Sequence, residues 1–110
     1  MPLLEDTQIA AGLAELPGDW TREGDTITRT VALPDFMAAI HLVTEVARAA
    51  EEINHHPDMD IRYDRVRFRL TSHDLGGITE RDLNLAARID RLVTKAGAAG
   101  GGERDPEGRR

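Results

Sequence analysis

"EEINHHPDMDIRYDRVRFRLTS", residues 51–72, is the stretch whose reading decides the fold. It starts as helix and turns to strand within a few residues. The ring of Pro57 disfavours a helical conformation at the residue before it, so the helix is expected to stop near His55. Beyond the proline, "DIRY" (60–63) is short and extended. In "RVRFRLTS" (65–72), Val66, Phe68 and Leu70 alternate with Arg65, Arg67 and Arg69. That period of two predicts a half-buried antiparallel strand with a polar outer face. Helix, break and hairpin therefore succeed one another inside a single short segment.

Working upstream, "LPDFMAAIHLVTEVARAAEEINHHP" (33–57) is the clearest helix. Pro34 suits a first turn and Asp35 the positive end of the helix dipole. Phe36, Ile40, Val43, Ala47, Ala50 and Ile53 form an apolar stripe. His41, Glu45, Arg48 and Glu52 lie on the polar side, where Glu45–Arg48 and Arg48–Glu52 are spaced to pair. Before it, "WTREGDTITRTVAL" (20–33) reads as a hairpin turning at "EGD". Ile27, Arg29, Val31 and Leu33 share one face of its second strand, and Thr26, Thr28 and Thr30 the other. The first element is a helix capped by Asp6 or Thr7, with Ile9, Leu13 and Leu16 on one face, ended by Pro17 and Gly18. Downstream, Thr79 and Asp82 resemble a capping box, and Ile78 and Leu83 are placed to form its hydrophobic staple. Leu83, Ala86, Ala87 and Ile89 or Asp90 carry that helix on to Val93.

The order is α-β-β-α-β-β-α. Hairpins alternating with helices predict an α+β sandwich, a four-stranded antiparallel sheet with the helices packed on one face. Residues 1–95 make a single domain, and 96–110 read as a glycine-rich disordered tail.

Composition narrows the function classes. The chain has 110 residues, 40% apolar and 31% charged, and a formal net charge of −6. A domain this small has one core and little stability to spare, so self-association into a homodimer or homotetramer is expected. The acidic balance argues against a general nucleic-acid grip and against anionic membranes. With no cysteine, disulfides, thiolate nucleophiles and cysteine metal sites are excluded. No apolar run reaches spanning length and no basic region precedes the first apolar residues, so a cytoplasmic location is expected.

Two of the four histidines form the dipeptide His55-His56, and His73 comes later in "TSHDLGG" (71–77). All three stand where an element ends, and such positions on a rigid scaffold are where sites usually lie. An imidazole titrates near neutrality, so one can give a proton while another takes one. Adjacent imidazoles also resist carrying two positive charges at once. The plainer reading is that His55 and His56 only cap a helix C-terminus. A metal site is disfavoured: adjacent histidines rarely bind one ion well, and no H-E-x-x-H spacing is present. His41 reads as solvated. The arginine row on residues 65–69 could meet an anion, but it also serves to keep a sheet face soluble.

Taken together, Glu51, His55-His56-Pro57, Tyr63, Ser72-His73 and Gly77-Ile78-Thr79 with Asp82 resemble the signature of the pterin-4a-carbinolamine dehydratases. Trp20 in "GDW" and Asp35-Phe36 add to the likeness, which spans roughly residues 3–95. The resemblance implies the α-β-β-α-β-β-α fold and a hydro-lyase needing no metal or cofactor. Its substrate is a 4a-hydroxytetrahydropterin, dehydrated to the quinonoid dihydropterin during pterin recycling. It further implies His55, His56 and His73 as acid–base residues. Pro57, Ser72, Asp74 and Leu75 fall at pterin-contacting positions, and Glu51, Asn54 and Tyr63 in supporting ones. Two departures stand out. Met59 replaces a frequent aromatic residue, and Asn54 replaces a frequent aspartate whose charge favours a protonated imidazole. The family also contains non-enzymatic dimerisation and assembly factors, so a scaffold of the same fold is the alternative. Retention of all three histidines favours the enzyme.

Overall fold

The computed structural model describes residues 2–97. Its elements are α1 (Asp6–Ala14), β1 (Thr21–Glu23), β2 (Thr26–Ala32), α2 (Phe36–Ile53), β3 (Asp58–Arg62), β4 (Arg65–Leu70) and α3 (Glu80–Lys95). The order is the one expected from periodicity. The strands form one antiparallel sheet in the order β1-β2-β4-β3. Helices cover one face of it, and the core lies between the layers.

Register sorts the side chains. Ile27 pairs with Leu70, Arg29 with Phe68 and Val31 with Val66, all buried on the helix-covered face. On the open face Arg69 and Arg67 stand opposite Thr28 and Thr30 on one side, and opposite Asp58 and Asp60 on the other. Arg67 also donates to both carboxylate oxygens of Glu23 at 2.9 and 3.2 Å. The arginine row is thus met by acids of β3 on one side and by Glu23 of β1, reaching across β2, on the other, rather than forming a bare positive stripe.

The helices depart from the sequence reading in which residues they bury. In α2 the buried positions are Ala39, Leu42, Val46, Ala49 and Ala50. Phe36 and Ile53 from the expected stripe are 45% and 38% exposed, while Ile40, Val43 and Ala47 are half-buried. Apolar residues occupy more than half of this helix's circumference, so periodicity alone did not fix which side meets the sheet. The side that does is rich in alanine, which lets helix and sheet backbones approach closely. Glu45 pairs with Arg48 at 2.8 Å as expected. Glu52 instead meets Arg88 of α3.

In α3 the buried face comprises Asp82, Leu85, Ala86, Ile89, Asp90 and Val93. Leu83 and Ala87 are only half-buried. Two aspartates on the inner face displaced the reading of the stripe, because an acid is normally taken as solvent-facing. The α3 capping box is present, with Thr79 N–H donating to Asp82 Oδ2 at 2.9 Å. Helix α1 is capped one residue earlier than expected, at Glu5, whose N–H donates to Gln8 Oε1 at 2.8 Å. Asp6 pairs with Arg22 instead. From residue 98 onward, the expected disordered tail lies outside the described residues.

The stop of α2 shapes the histidine end of the molecule, and it comes before the proline acts. Asn54 adopts the left-handed conformation, with φ 52° and ψ 46°. His55 N–H then bonds to Ala50 C=O at 3.0 Å and Asn54 N–H to Glu51 C=O at 3.2 Å. This is the Schellman closure, in which a left-handed residue lets the last carbonyls of a helix be satisfied. Asparagine is the commonest residue after glycine to accept that conformation. Asn54→Val is accordingly expected to cost about 1–2 kcal/mol, since a β-branched residue is strained there. Asn54→Gly should cost nothing. Urea unfolding followed by fluorescence of Trp20, the single and buried tryptophan, checks both. Equal stabilities for the two variants would contradict the assignment.

Candidate active site

The sheet register brings the three histidines to one end of the molecule. Asp58, at the start of β3, stands opposite Arg69, near the end of β4. Residues just before β3 and just after β4 are therefore neighbours. His55 and His56 precede β3. His73 lies in the turn after β4, which is closed by the bridge between Ser72 and Gly77. Gly76 in that turn has φ +76°, a conformation that favours glycine. The turn then delivers the N-terminus of α3 to the same place.

A pocket of about 340 Å³ opens there, lined by Asn54, His55, His56, Thr71, His73, Asp74 and Arg81. The two adjacent imidazoles differ sharply in setting. His55 is buried, and its Nε2 lies 2.6 Å from Oδ1 of the fully buried Asp82. His56 is exposed, and its Nε2 lies 2.6 Å from Oε2 of Glu51, one helical turn back. The left-handed turn at Asn54 produces this split, sending one ring inward and the next outward. At the rim Arg81 Nη2 donates to both oxygens of Asp74 at 2.9 and 3.2 Å. That hydrogen bond holds the Asp74 carboxyl below the usual carboxylate range.

Several expected site residues take other positions. Ser72 is fully buried, with its hydroxyl engaged by Asp82 and Thr79 beneath the pocket. Leu75 is 41% exposed at the turn and does not line the pocket, nor does the half-buried Pro57. Tyr63 is not brought to this end. It occupies the turn at the far end of β3, with φ 55°. Six extended steps at about 3.3 Å each put it roughly 20 Å from Pro57. Glu51 and Asn54 do sit against the histidines.

The structure adds Asp82, which sequence reasoning named as a helix cap rather than as a site residue. Its signal was available. Ile78, Asp82, Leu85 and Ile89 have a 4-3-4 core spacing, so an acid occupies a core position and needs a buried partner. Among the described residues, no group of three or more His, Asp or Glu side chains is arranged to hold a metal ion. No helix among them is long and apolar enough to cross a membrane.

Fold and pocket together define a class: a small α+β sandwich with an imidazole-lined pocket at one sheet end, two of its rings held by carboxylates. The family model described as pterin 4 alpha carbinolamine dehydratase matches residues 2–92. The chain belongs to the pterin-4a-carbinolamine dehydratase family. It is 57% identical over 91 residues to a Nocardia farcinica protein named "Putative pterin-4-alpha-carbinolamine dehydratase", covering 83% of this chain and 95% of that one. A Chloroflexus aurantiacus protein of the same name is 54% identical over 93 residues, covering 84% and 99%. Among solved structures, the transcriptional coactivator/pterin dehydratase from Brucella melitensis superposes with a TM-score of 0.79 at 29% identity, covering 83% of this chain and 98% of that one. A pterin dehydratase-like protein identified as a RuBisCO assembly factor of the alpha-carboxysome shares the fold, with a TM-score of 0.57 at 20% identity, covering 68% and 87%.

Proposed function

We propose that this protein is a cytoplasmic hydro-lyase that dehydrates a 4a-hydroxytetrahydropterin to the quinonoid dihydropterin, as in pterin recycling. The observation that carries the reading is the convergence of His55, His56 and His73 on one pocket. The reaction breaks the C4a–O bond and forms a C4a–N double bond. The hydroxyl leaves as water with a proton from an imidazolium, and the adjacent ring nitrogen loses its proton to a neutral imidazole. Electrons balance without an oxidant, so the residues required are one acid and one base held close together. The carboxylates of Asp82 and Glu51 hold the His55 and His56 rings in fixed orientations at the pocket. Arg81 and Asp74 form a polar rim against which the pterin's hydrogen-bonding edge can dock.

The alternative is a non-catalytic assembly scaffold of the same fold, favoured by the solved assembly-factor neighbour. The two readings separate on one point. Purified protein should speed the loss of freshly generated 4a-hydroxytetrahydropterin above the buffer rate, whereas a scaffold leaves that rate unchanged.

Self-association into a homodimer or homotetramer is part of the proposal. Its support is the second apolar face of α2, where Phe36 and Met37 are 45% and 61% exposed beside Ile40 and Val43. Apolar surface of that kind marks an interaction site. Light scattering at micromolar concentration should give at least twice the chain mass, and a monomer would overturn this expectation.

A further inference from the structure

We propose that Ser72 is a positioning residue that acts through Asp82 to tune how tightly His55 holds its proton. The proposal rests on the dehydratase reading above and adds a residue that lies outside the pocket. Its basis is a hydrogen-bond chain whose direction can be read link by link.

Asp82 is fully buried, and among the described residues the ionisable side chain paired with it is His55. Oδ1 faces His55 Nε2 at 2.6 Å. Oδ2 accepts from Ser72 Oγ at 2.9 Å and from Thr79 N–H at 2.9 Å. A hydroxyl has one proton to give. Ser72 gives its proton to Asp82, so in its 2.8 Å contact with Thr79 Oγ1 it must accept. Thr79 Oγ1 in turn accepts from Arg81 N–H at 3.2 Å. Donation thus runs from the N-terminus of α3 through Thr79 and Ser72 to Asp82, whose other oxygen faces the His55 ring. Every group in it is satisfied, which is what a buried polar network needs to hold one geometry.

The chemistry comes from the count of donors. Each donor to a carboxylate spreads its charge and makes it a weaker acceptor toward its remaining partner. Ser72 therefore weakens the pull of Asp82 on the His55 proton. With the hydroxyl removed, Asp82 becomes more basic and stabilises the His55 imidazolium more strongly. The direction is the same whichever part His55 plays. If His55 must start neutral, the acid limb of the rate profile moves to higher pH. If it must start protonated, the alkaline limb moves to higher pH. The other ionisable groups around His55 are His56 and Glu51 from α2 and the residues beside it, His73 and Asp74 from the turn after β4, and Arg81 from α3. Among the described residues the Ser72 hydroxyl bonds to Thr79 and Asp82 and to none of these groups, so their influence is common to wild type and variant.

The test compares wild type, Ser72→Ala and Ser72→Thr by two readouts. One is the pH dependence of kcat/KM for 4a-hydroxytetrahydropterin. The other is the pH dependence of the His55 ring signals by nitrogen NMR, which needs no substrate and stands even if the protein proves inactive. In Ser72→Ala the limb assigned to His55, and its NMR transition, should move upward by roughly half a unit or more, a scale typical of losing one hydrogen bond to a charged group. Ser72→Thr keeps the hydroxyl and should restore both to wild-type positions. An unmoved or downward-moved NMR transition in a folded Ser72→Ala protein overturns the proposal. An NMR shift with no catalysis in wild type overturns the dehydratase reading and leaves the hydrogen-bond chain standing.

Discussion

His55→Ala is expected to lower the dehydration rate by roughly 10²-fold or more, the usual scale for losing an acid–base group. The same substitution should also weaken the fold. It leaves the Asp82 carboxylate fully buried without its imidazole partner, and an abandoned buried acceptor costs on the order of 1–3 kcal/mol. The two effects can be separated. In His55→Gln the amide nitrogen reaches about as far as Nε2 and can still donate to Asp82, yet it cannot exchange a proton at neutral pH. Stability should largely return while the rate stays low. A His55→Gln protein that keeps the rate within a few-fold of wild type would show that His55 positions groups and does no acid–base work. His73→Ala makes a second check, because His73 is exposed on the turn and its loss should cost rate with little change in stability.

The largest expected effect on stability lies away from the pocket, at Asp90. Its Oδ1 accepts from Trp20 Nε1 at 2.9 Å and pairs with Arg29, and its Oδ2 accepts from Gly18 N–H at 3.0 Å. Arg29 and Asp90 are 4% and 1% exposed. One carboxylate thus joins α3, β2 and the segment leading into β1. Asp90→Ala removes the anion and leaves a guanidinium buried without that counter-charge, a change worth about 3–5 kcal/mol. Against a typical total of about 5–15 kcal/mol, that is enough to leave the protein marginal. Urea unfolding with Trp20 fluorescence measures it directly, because the tryptophan belongs to the cluster. A loss below about 1 kcal/mol would mean that other groups carry the contact. Gly18 fits the same picture, since a Cβ there would collide with the Arg29 guanidinium and the Asp90 carboxylate.

Much of this architecture can be read from the amino-acid pattern, and each misreading has its own physical cause. The alternation in β4 and the break at "NHHP" were enough to give the element order, because strand periodicity is tied to one buried face. The site end of the sheet was legible too, since His55, His56 and His73 flank the two strands of one hairpin. Asp82 and Asp90 were harder. Each is an acid on the inner face of α3, and only tertiary contact with His55, Ser72, Trp20 and Arg29 offsets the cost of that burial. The inward side of α2 was hidden for the opposite reason: apolar residues surround so much of it that the stripe was ambiguous. Tyr63 shows the limit of spacing. Seven residues after His56 it is close in sequence, but an intervening extended strand carries it to the other end of the sheet. Ser72 was placed near the pterin by resemblance, whereas its hydroxyl is turned beneath the pocket floor.

The proposed activity of this pocket is removal of water from a pterin carbinolamine. The most direct measurement generates 4a-hydroxytetrahydropterin in situ and tracks its conversion to quinonoid dihydropterin by absorbance, with wild-type protein, the folded His55→Gln control, and buffer alone. The rate is expected to be proportional to wild-type protein concentration, with His55→Gln reduced by about 10²-fold. A wild-type rate equal to that of buffer would contradict that activity and favour the scaffold.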